Sequence, residues 1–222
     1  MRGERVPPSV GAMSTSRRQF LAATAALPLT SLPALAGGQE PDPAAATPRL
    51  QATVILVRHT EKAKNDPRDP DLSEAGRERA AAFAQMFAAA GVTALVHSEF
   101  KRTRDTLAPL AEQLDLTSET IPARDMDGLI ARLQGAKARE VIVVAGHSNT
   151  IPAIAARLGV TLRDLTETSM NTRVAEGHLP HDAYDRVHVL TPGSGGARAL
   201  ELRYGAPTPA APNRSDLTAP VD

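Results

Sequence analysis

Residues 53–61 read Thr-Val-Ile-Leu-Val-Arg-His-Thr-Glu, a short apolar and β-branched run that ends in an Arg-His pair. Residues 141–149 repeat this arrangement, because Val-Ile-Val-Val-Ala is followed there by Gly-His-Ser-Asn. Such short buried runs are typical of central strands in a parallel sheet. Ligands of open α/β sheets bind beyond the carboxyl ends of the strands. The sequence therefore predicts a functional site where Arg58, His59 and His147 meet at one sheet edge.

A third predicted strand and the helix after it bring further polar residues to the same edge. Residues 93–98 read Thr-Ala-Leu-Val-His-Ser, and the sequence from Lys101 onwards predicts a helix. Ser98, Arg102 and Thr106 recur at helical spacing, so we expect them on one helix face. This spacing places Arg102 in the first helical turn, beside the predicted site.

The body of the chain alternates predicted helices and strands. Ser73 is a plausible N-cap for the first helix, because serine hydroxyls accept hydrogen bonds from orphan backbone N–H groups. The pattern predicts helices over about 73–90, 101–114, 127–134 and 149–158, and a terminal hairpin of 186–190 and 199–202. Alternating elements predict an α/β fold with a mostly parallel sheet and right-handed crossovers.

The N-terminal segment has the pattern of an export signal. Ser-Arg-Arg-Gln-Phe-Leu at 16–21 matches the twin-arginine motif, and Ala-Leu-Ala at 34–36 is a small-residue cleavage site. We expect residues 1–36 to be a twin-arginine signal peptide that engages the twin-arginine export machinery. The mature protein is then periplasmic or secreted. A disordered basic arm is the alternative, and translation could start at Met1 or Met13.

Three further regions follow the predicted signal peptide. Residues 37–50 are rich in Pro and Ala and are expected to form a linker, and residues 205–222 are expected to form a disordered tail. Residues 51–204 suit one domain of ordinary size.

Composition excludes several classes of partner. The 222 residues contain no cysteine, so export would bring neither a disulfide nor a lipoprotein anchor. No later stretch is long and apolar enough to span a bilayer, so no stable membrane anchor is expected. Basic and acidic residues number 25 each. Residues 1–36 contain four arginines and one glutamate, so removal of the predicted signal peptide leaves a protein with a small net negative charge. The remaining surface does not favour nucleic acid.

The ordered motifs resemble those of the histidine phosphatase superfamily, the phosphoglycerate-mutase-like group. The resemblance spans about residues 52–204 and rests on Arg58-His59, Ser98/Arg102/Thr106 and Gly146-His147. It implies a three-layer sandwich with a mostly parallel central sheet, and phosphatase chemistry that needs no metal and no cofactor.

Two positions narrow the branch of that family. Thr60 stands where the usual string is Arg-His-Gly, a variant found among small phosphatases of the group, and this argues against a mutase. The mutases' longer insertions are also missing. Ser148 stands where acid phosphatases and phytases carry Asp, which argues against that branch.

The chemistry of the motif residues fits phosphoryl transfer. His59 is the predicted nucleophile, because neutral imidazole is available near pH 7. Arg58 and Arg102 can each present a planar fork to phosphate oxygens, and His147, if protonated, adds charge and a donor. Further candidate substrate-binding residues are Ser98, Ser148, Asn149 and Lys62.

An alkoxide leaving group needs a proton, so an acid is expected nearby. In the resembling family a carboxylate after the arginine helix often supplies it, which here makes Asp125 and Asp127 the candidates. Either residue could instead cap the next helix, since Asp is a preferred N-cap. Family members that cleave phosphohistidine can lack the acid, because that leaving group departs easily.

The sequence thus predicts an exported phosphatase that hydrolyses phosphate monoesters of small molecules through a phosphohistidine intermediate on His59. Two alternatives remain open: a phosphohistidine-protein phosphatase, and a catalytically silent phosphate-binding domain. Substrate specificity would lie in the loops 62–71 and 166–185, which contain no sequence motif that identifies the natural substrate. The second loop is expected to border the site entrance.

Overall fold

A computed structural model of the chain describes residues 50–166 and 177–207. The predicted signal peptide, 1–36, lies outside these residues, as do nearly all of the predicted linker, 37–50, and tail, 205–222. Those three assignments stay predictions. Within the described residues, no helix has the length and apolar character needed to cross a membrane.

Strands and helices alternate along the described chain, as the sequence pattern predicts. In chain order they are β1 (Thr53–Arg58), α1 (Glu74–Phe87), β2 (Ala94–His97), α2 (Lys101–Leu114), β3 (Glu119–Thr120), α3 (Met126–Gln134), β4 (Val141–Gly146), α4 (Thr150–Arg157), β5 (Arg186–Thr191) and β6 (Arg198–Arg203). The sequence analysis missed β3, because two exposed residues carry no hydrophobic periodicity.

The strands form one sheet in the order β3-β2-β4-β1-β5-β6. The pairs β3–β2, β2–β4 and β4–β1 are parallel. Strand β5 runs antiparallel to β1, and β6 returns antiparallel to β5, so the predicted hairpin extends one side of the parallel sheet. The two motif-bearing strands, β1 and β4, are therefore immediate neighbours.

Helices cover both faces of the sheet. Val54 and Leu56 of β1 pack in one core cluster with residues of α3 and α4, whereas Ile55 and Val57 pack in a second cluster with residues of α1 and α2. Successive strand residues point to opposite faces, and both faces are buried here. The predicted α/β three-layer architecture with a mostly parallel central sheet is confirmed.

Two local expectations at helix starts had different outcomes. Ser73 caps α1, since its Oγ accepts a hydrogen bond of 3.1 Å from the Gly76 N–H. Ser98 does not lie on the face of α2 with Arg102, because α2 begins at Lys101 and the extended backbone of Phe100 separates Ser98 from the helix. The expectation of one shared helix face is wrong for Ser98.

Candidate active site

The register of the parallel strands brings the sequence motifs to one edge. Arg58 of β1 is paired with Gly146 of β4, and the His59 N–H donates to the Gly146 carbonyl at 2.9 Å. Ser98 follows β2, which lies on the other side of β4. The ring centroids of His59 and His147 are 5.5 Å apart, with the rings edge to face.

His59 is held as a neutral imidazole with a defined proton position. It is 5 % exposed, and its Nδ1 lies 2.8 Å from the Thr60 carbonyl oxygen. Because a carbonyl only accepts, Nδ1 carries the proton and Nε2 carries the lone pair. Burial lowers the pKa of His59 to about 3, and the nearby charge of Arg58 acts in the same direction.

Helix α2 fixes the backbone beside this histidine. The Thr60 N–H donates to Thr106 Oγ1 at 3.0 Å, and the Thr106 hydroxyl donates to the Arg102 carbonyl at 2.7 Å. These groups are buried or partly buried, so water competes little for their hydrogen bonds. The side chain of Thr60, which stands where the resembling family has glycine, also takes part in this framework, since its Oγ1 lies 3.4 Å from Thr106 Oγ1.

His147 is held by Ser98 on the neighbouring segment. Its Nε2 lies 3.0 Å from Ser98 Oγ, which is also 2.8 Å from Thr103 Oγ1. Burial lowers the pKa of His147 to about 4, and the charge of Arg102 lowers it further. His147 is neutral in the protein alone, and an anion bound beside it would raise this pKa. The structure thus places the Ser98 hydroxyl, predicted to bind substrate, against His147.

Arg58 is oriented by the segment before β5. Its Nη1 donates to the carbonyls of Pro180 and His181, both at 2.9 Å. Its guanidinium carbon lies 4.2 Å from the centroid of the Tyr184 ring, and Nη2 lies 3.4 Å from the Tyr184 hydroxyl. The buried Nε has no hydrogen-bond partner among the described residues. The edge formed by Nε and Nη2 is consequently the part of the Arg58 fork suited to an anion.

Arg102 lies in the first turn of α2. Its guanidinium carbon is 4.2 Å from the centroid of the Phe100 ring, and Nη1 is 3.5 Å from Asp69 Oδ1. Burial lowers its pKa, while the charges of Asp69 and Glu99 raise it. Arginine remains charged under all ordinary conditions, so Arg102 supplies a fixed positive charge near His147.

Two of the predicted substrate-binding residues directly follow His147 in the chain, and a third lies in the loop after β1. Ser148 and Asn149 are partly buried between His147 and α4. Asn149 makes no side-chain capping bond, whereas Thr150 Oγ1 accepts from the His147 N–H at 2.8 Å. The side chain of Asn149 is thus not used as a helix cap. Lys62 is exposed in the loop after β1.

Asp127 pairs with an arginine at the end of α4. Its side chain is 88 % exposed and lies 2.7 Å from Arg157. Arg157 ends α4, whereas His147 precedes the start of that helix, and eight helical residues span about 12 Å. The structure thus engages the Asp127 carboxylate at the far end of α4, and its role as the acid stays a prediction.

Asp125 serves as the N-cap of α3. Its Oδ1 accepts from the Gly128 N–H at 2.9 Å, which is the capping alternative raised from the sequence. Asp125 also lines a small, largely apolar pocket that reaches Ser98 and His147. A role for Asp125 in proton transfer stays a prediction, with its carboxylate already engaged by the helix start.

The sequence analysis missed four residues of the site. Tyr184 and Asp69 reach Arg58 and Arg102 from segments far away in sequence, so no local pattern marks them. Glu99 directly follows Ser98, and its charge raises the pKa of His147, so adjacency to the motif was a usable signal. Phe100, beneath Arg102, was equally close.

No cluster of three or more His, Asp or Glu side chains arranged to hold a metal ion occurs in residues 50–166 and 177–207.

A family model supports the similarity suggested by the motifs. The model of the histidine phosphatase superfamily, branch 1, matches residues 54–127. That interval contains Arg58-His59 and the segment from Ser98 to Thr106, while Gly146-His147 lies beyond it. A search of curated proteins finds no match to the sequence.

Solved structures of phosphatases resemble the chain in fold. A protein proposed to be an α-ribazole-5′-phosphate phosphatase from Escherichia coli K-12 is 14 % identical, with a TM-score of 0.50, covering 68 % of this chain and 96 % of its own. A proposed phosphohistidine phosphatase SixA from Nakamurella multipartitia is 21 % identical, with a TM-score of 0.47, covering 70 % and 97 %. The protein histidine phosphatase SixA complexed with tungstate is 17 % identical, with a TM-score of 0.49, covering 68 % and 96 %.

Proposed function

We propose that this chain is a histidine phosphatase that hydrolyses phosphate monoesters through a phosphohistidine intermediate on His59. The observation that carries this proposal is the state of His59. It is buried and neutral, with its Nδ1 proton committed to the Thr60 carbonyl and its Nε2 lone pair available. Arg58 and His147 lie beside it, and Arg102 lies near enough for its charge to lower the same pKa.

The first chemical step uses the Nε2 lone pair. Nε2 attacks phosphorus and forms an N–P bond, while the P–O bond to the leaving group breaks and that oxygen keeps the electron pair. The imidazole becomes cationic, and the Nδ1–H bond to the Thr60 carbonyl strengthens as it does so. In the second step, water attacks phosphorus, the N–P electron pair returns to Nε2, and phosphate is released.

The surrounding cations stabilise the charge that develops on the phosphoryl oxygens. Arg58 offers its Nε and Nη2 edge, Arg102 offers a fixed charge from α2, and His147 becomes a protonated donor once an anion raises its pKa. These groups are positioned by the framework before substrate arrives, so little reorganisation is needed during the reaction.

The proton for the leaving group limits the range of substrates. Asp127 faces Arg157, and Asp125 is engaged as a helix cap. This arrangement favours leaving groups of low basicity. It also supports a second candidate function, the hydrolysis of phosphohistidine, because the imidazole of phosphohistidine departs easily.

Substrate comparison tests the proposal. The purified protein from residue 37 onwards would be assayed with nitrophenyl phosphate, an alkyl phosphate and a phosphohistidine peptide. We expect turnover of nitrophenyl phosphate, and acid-labile, base-stable phosphate on His59 after quenching. Turnover without any phosphohistidine would contradict the mechanism. Binding of phosphate without turnover of any substrate would favour a silent binding domain.

We also propose that the protein is exported by the twin-arginine route and acts in the periplasm or outside the cell. The support is the string Ser-Arg-Arg-Gln-Phe-Leu at residues 16–21, followed by Ala-Leu-Ala at 34–36. Changing both Arg17 and Arg18 to Lys should retain full-length protein in the cytoplasm. Export of the double variant at the normal level would contradict the proposal and would strengthen the phosphohistidine-protein alternative.

A further inference from the structure

Asp69 links the loop after β1 to the beginning of α2. Its Oδ1 accepts from the Lys101 N–H at 3.1 Å, and the same oxygen lies 3.5 Å from Arg102 Nη1. The N-cap residue itself, Phe100, has no side chain able to accept a hydrogen bond, so Asp69 supplies the cap from a distant part of the chain. One carboxylate therefore contacts both the helix start and an arginine of the site.

The contact of Asp69 with Arg102 acts mainly through charge and contributes little to the orientation of the guanidinium. The Phe100 ring lies 4.2 Å from the guanidinium carbon, and this cation–π contact helps to hold the fork without Asp69. The Asp69 contact is a single hydrogen bond at the long limit of 3.5 Å, unlike the bidentate pairs elsewhere in the protein. Both side chains are mostly buried, with exposures of 14 % and 30 %, so water screens their attraction only in part.

We propose that Asp69 is a counter-charge that competes with phosphate for Arg102 and so lowers the affinity of the site for its product, phosphate. This inference rests on the proposed function, because it takes Arg102 to contact the phosphate. An anion beside Arg102 meets a guanidinium whose charge is already partly balanced, and it also meets the like charge of Asp69. Both effects lower the affinity for phosphate and allow it to leave.

The neighbouring Asp71 offers a matched control. It lies in the same loop and pairs with the Lys101 side chain at 3.3 Å instead of with Arg102. Asp69→Asn and Asp71→Asn each remove one negative charge while keeping an oxygen that accepts hydrogen bonds. Asp69→Ala removes the charge and the helix cap together, so the three variants separate charge from capping.

The experiment measures the dissociation constant of inorganic phosphate, and separately of tungstate, by calorimetry, together with kcat and thermal stability. We expect Asp69→Asn to bind phosphate about five- to tenfold more tightly, since a partly buried like charge has been removed. Asp71→Asn should stay within about twofold of the unchanged protein, because its charge faces Lys101 and is more exposed. Asp69→Ala should show the same tightening as Asp69→Asn with a lower melting temperature.

Unchanged or weaker phosphate binding by Asp69→Asn would overturn the inference, and weaker binding would identify Asp69 as a residue that merely orients Arg102. Equal tightening in Asp71→Asn would overturn it as well, because it would reflect net charge alone. These outcomes require that the unchanged protein binds phosphate. Failure of the unchanged protein to bind either phosphate or tungstate would instead contradict the proposed function.

Discussion

Two buried arginines, Arg58 and Arg79, are held in closely similar ways. In each, Nη1 donates to two backbone carbonyls, at 2.9 Å for both bonds of Arg58 and at 3.0 and 2.8 Å for Arg79. In each, the guanidinium lies over a tyrosine ring, Tyr184 or Tyr204. The two differ at the edge formed by Nε and Nη2. Glu61 occupies that edge of Arg79, with Nη2 to Oε1 at 2.7 Å.

No carboxylate of the described residues lies within ion-pair distance of Arg58, and its buried Nε has no partner there. Arg79 is paired directly with a carboxylate of the protein, whereas Arg58 has only the more distant charges of Asp182 and Glu61, so an external anion can pair with it directly. Burying an unbalanced charge is costly, so such a charge persists where it has a use. The comparison suggests that phosphate takes the place on Arg58 that Glu61 takes on Arg79.

The strongest test of the site beside Arg58 is removal of the nucleophile. His59→Ala should lower turnover by on the order of 10⁴-fold or more, because no other group can form the N–P bond. Steady-state rates and quenched labelling with radioactive phosphate would measure this. Retention of near-normal turnover would show that the unbalanced arginine does not mark a phosphohistidine site. His59→Asn is a useful companion, since it keeps a polar group of similar reach and should bind phosphate better than the Ala variant.

Exchanging each arginine for lysine tests the comparison directly. Arg58→Lys should lose about a hundredfold in kcat/KM, since a planar edge becomes a point charge, and it should lower the melting temperature less than Arg79→Lys does, since it breaks no ion pair. Arg79→Lys should do the reverse. It should destabilise the fold by about 1–3 kcal/mol while the kcat of the folded protein stays near normal. Denaturant unfolding and kinetics on both variants would measure these effects. Equal losses of activity in the two variants would contradict the assignment of Arg58 to the site and of Arg79 to the fold.

The pH dependence of stability extends the comparison to buried histidines. Burial lowers the pKa of His188 to about 4 from the 6.5 of an unfolded chain, and the charge of Arg186 lowers it further. Between these values the unfolded chain binds a proton that the folded protein does not, so stability falls as pH drops from about 6.5 towards 4. His188→Leu should flatten this slope without changing kcat at pH 7.

The two site histidines also lower the stability as the pH falls from about 6.5. The contribution of His59 continues down to about pH 3 and that of His147 down to about pH 4. Bound phosphate should reduce the contributions of both His59 and His147, because an adjacent anion raises the pKa of each histidine, and it should leave the contribution of His188 unchanged. Melting temperatures measured against pH, with and without phosphate, would separate the two site histidines from the structural one. If the stability of His188→Leu changes with pH as steeply as that of the unchanged protein, His188 is not a source of the pH dependence and this prediction is contradicted.

The smallest expected effect concerns the ring that orients Arg58. Tyr184→Phe keeps the ring over the guanidinium and should change kcat/KM by less than about threefold, since cation–π contact is retained. Tyr184→Leu removes it and should cost about tenfold. The loss should vanish when Arg58 is already Lys, because the two residues then no longer act as a unit. Additive losses in the double variant would show that Tyr184 acts independently of Arg58.

Local chemistry explains why much of the architecture could be predicted. The apolar runs of β1 and β4 are bounded by polar motifs, Ser73 is a strong capping residue, and α2 spans Lys101–Leu114 as predicted. Each of these features depends on neighbours within a few positions, which is the range over which strand and helix periodicities act. The meeting of the motifs at one edge follows from parallel strands sharing their carboxyl ends.

Other features depended on contacts between distant segments. The sequence placed Asp127 in a plausible region for an acid, but only the packing of α3 against α4 decided that its carboxylate meets Arg157. Tyr184 reaches Arg58 across 126 positions, and Asp69 reaches Arg102 across 33. Such partners leave no periodic trace in the chain.

The sequence by itself thus determined every described element except β3, their alternation and the motif side chains of the site, because these follow from short-range periodicity and residue chemistry. Only the tertiary structure decided which charges are balanced. Arg58, Arg79 and Arg102 have the same side chain, and what distinguishes them among the described residues is how closely the fold brings a carboxylate to the guanidinium. Arg58 has no direct ion pair, Arg79 has a close pair and Arg102 has one long contact. Electrostatic energy depends on distance and burial, and neither quantity is a local property of sequence.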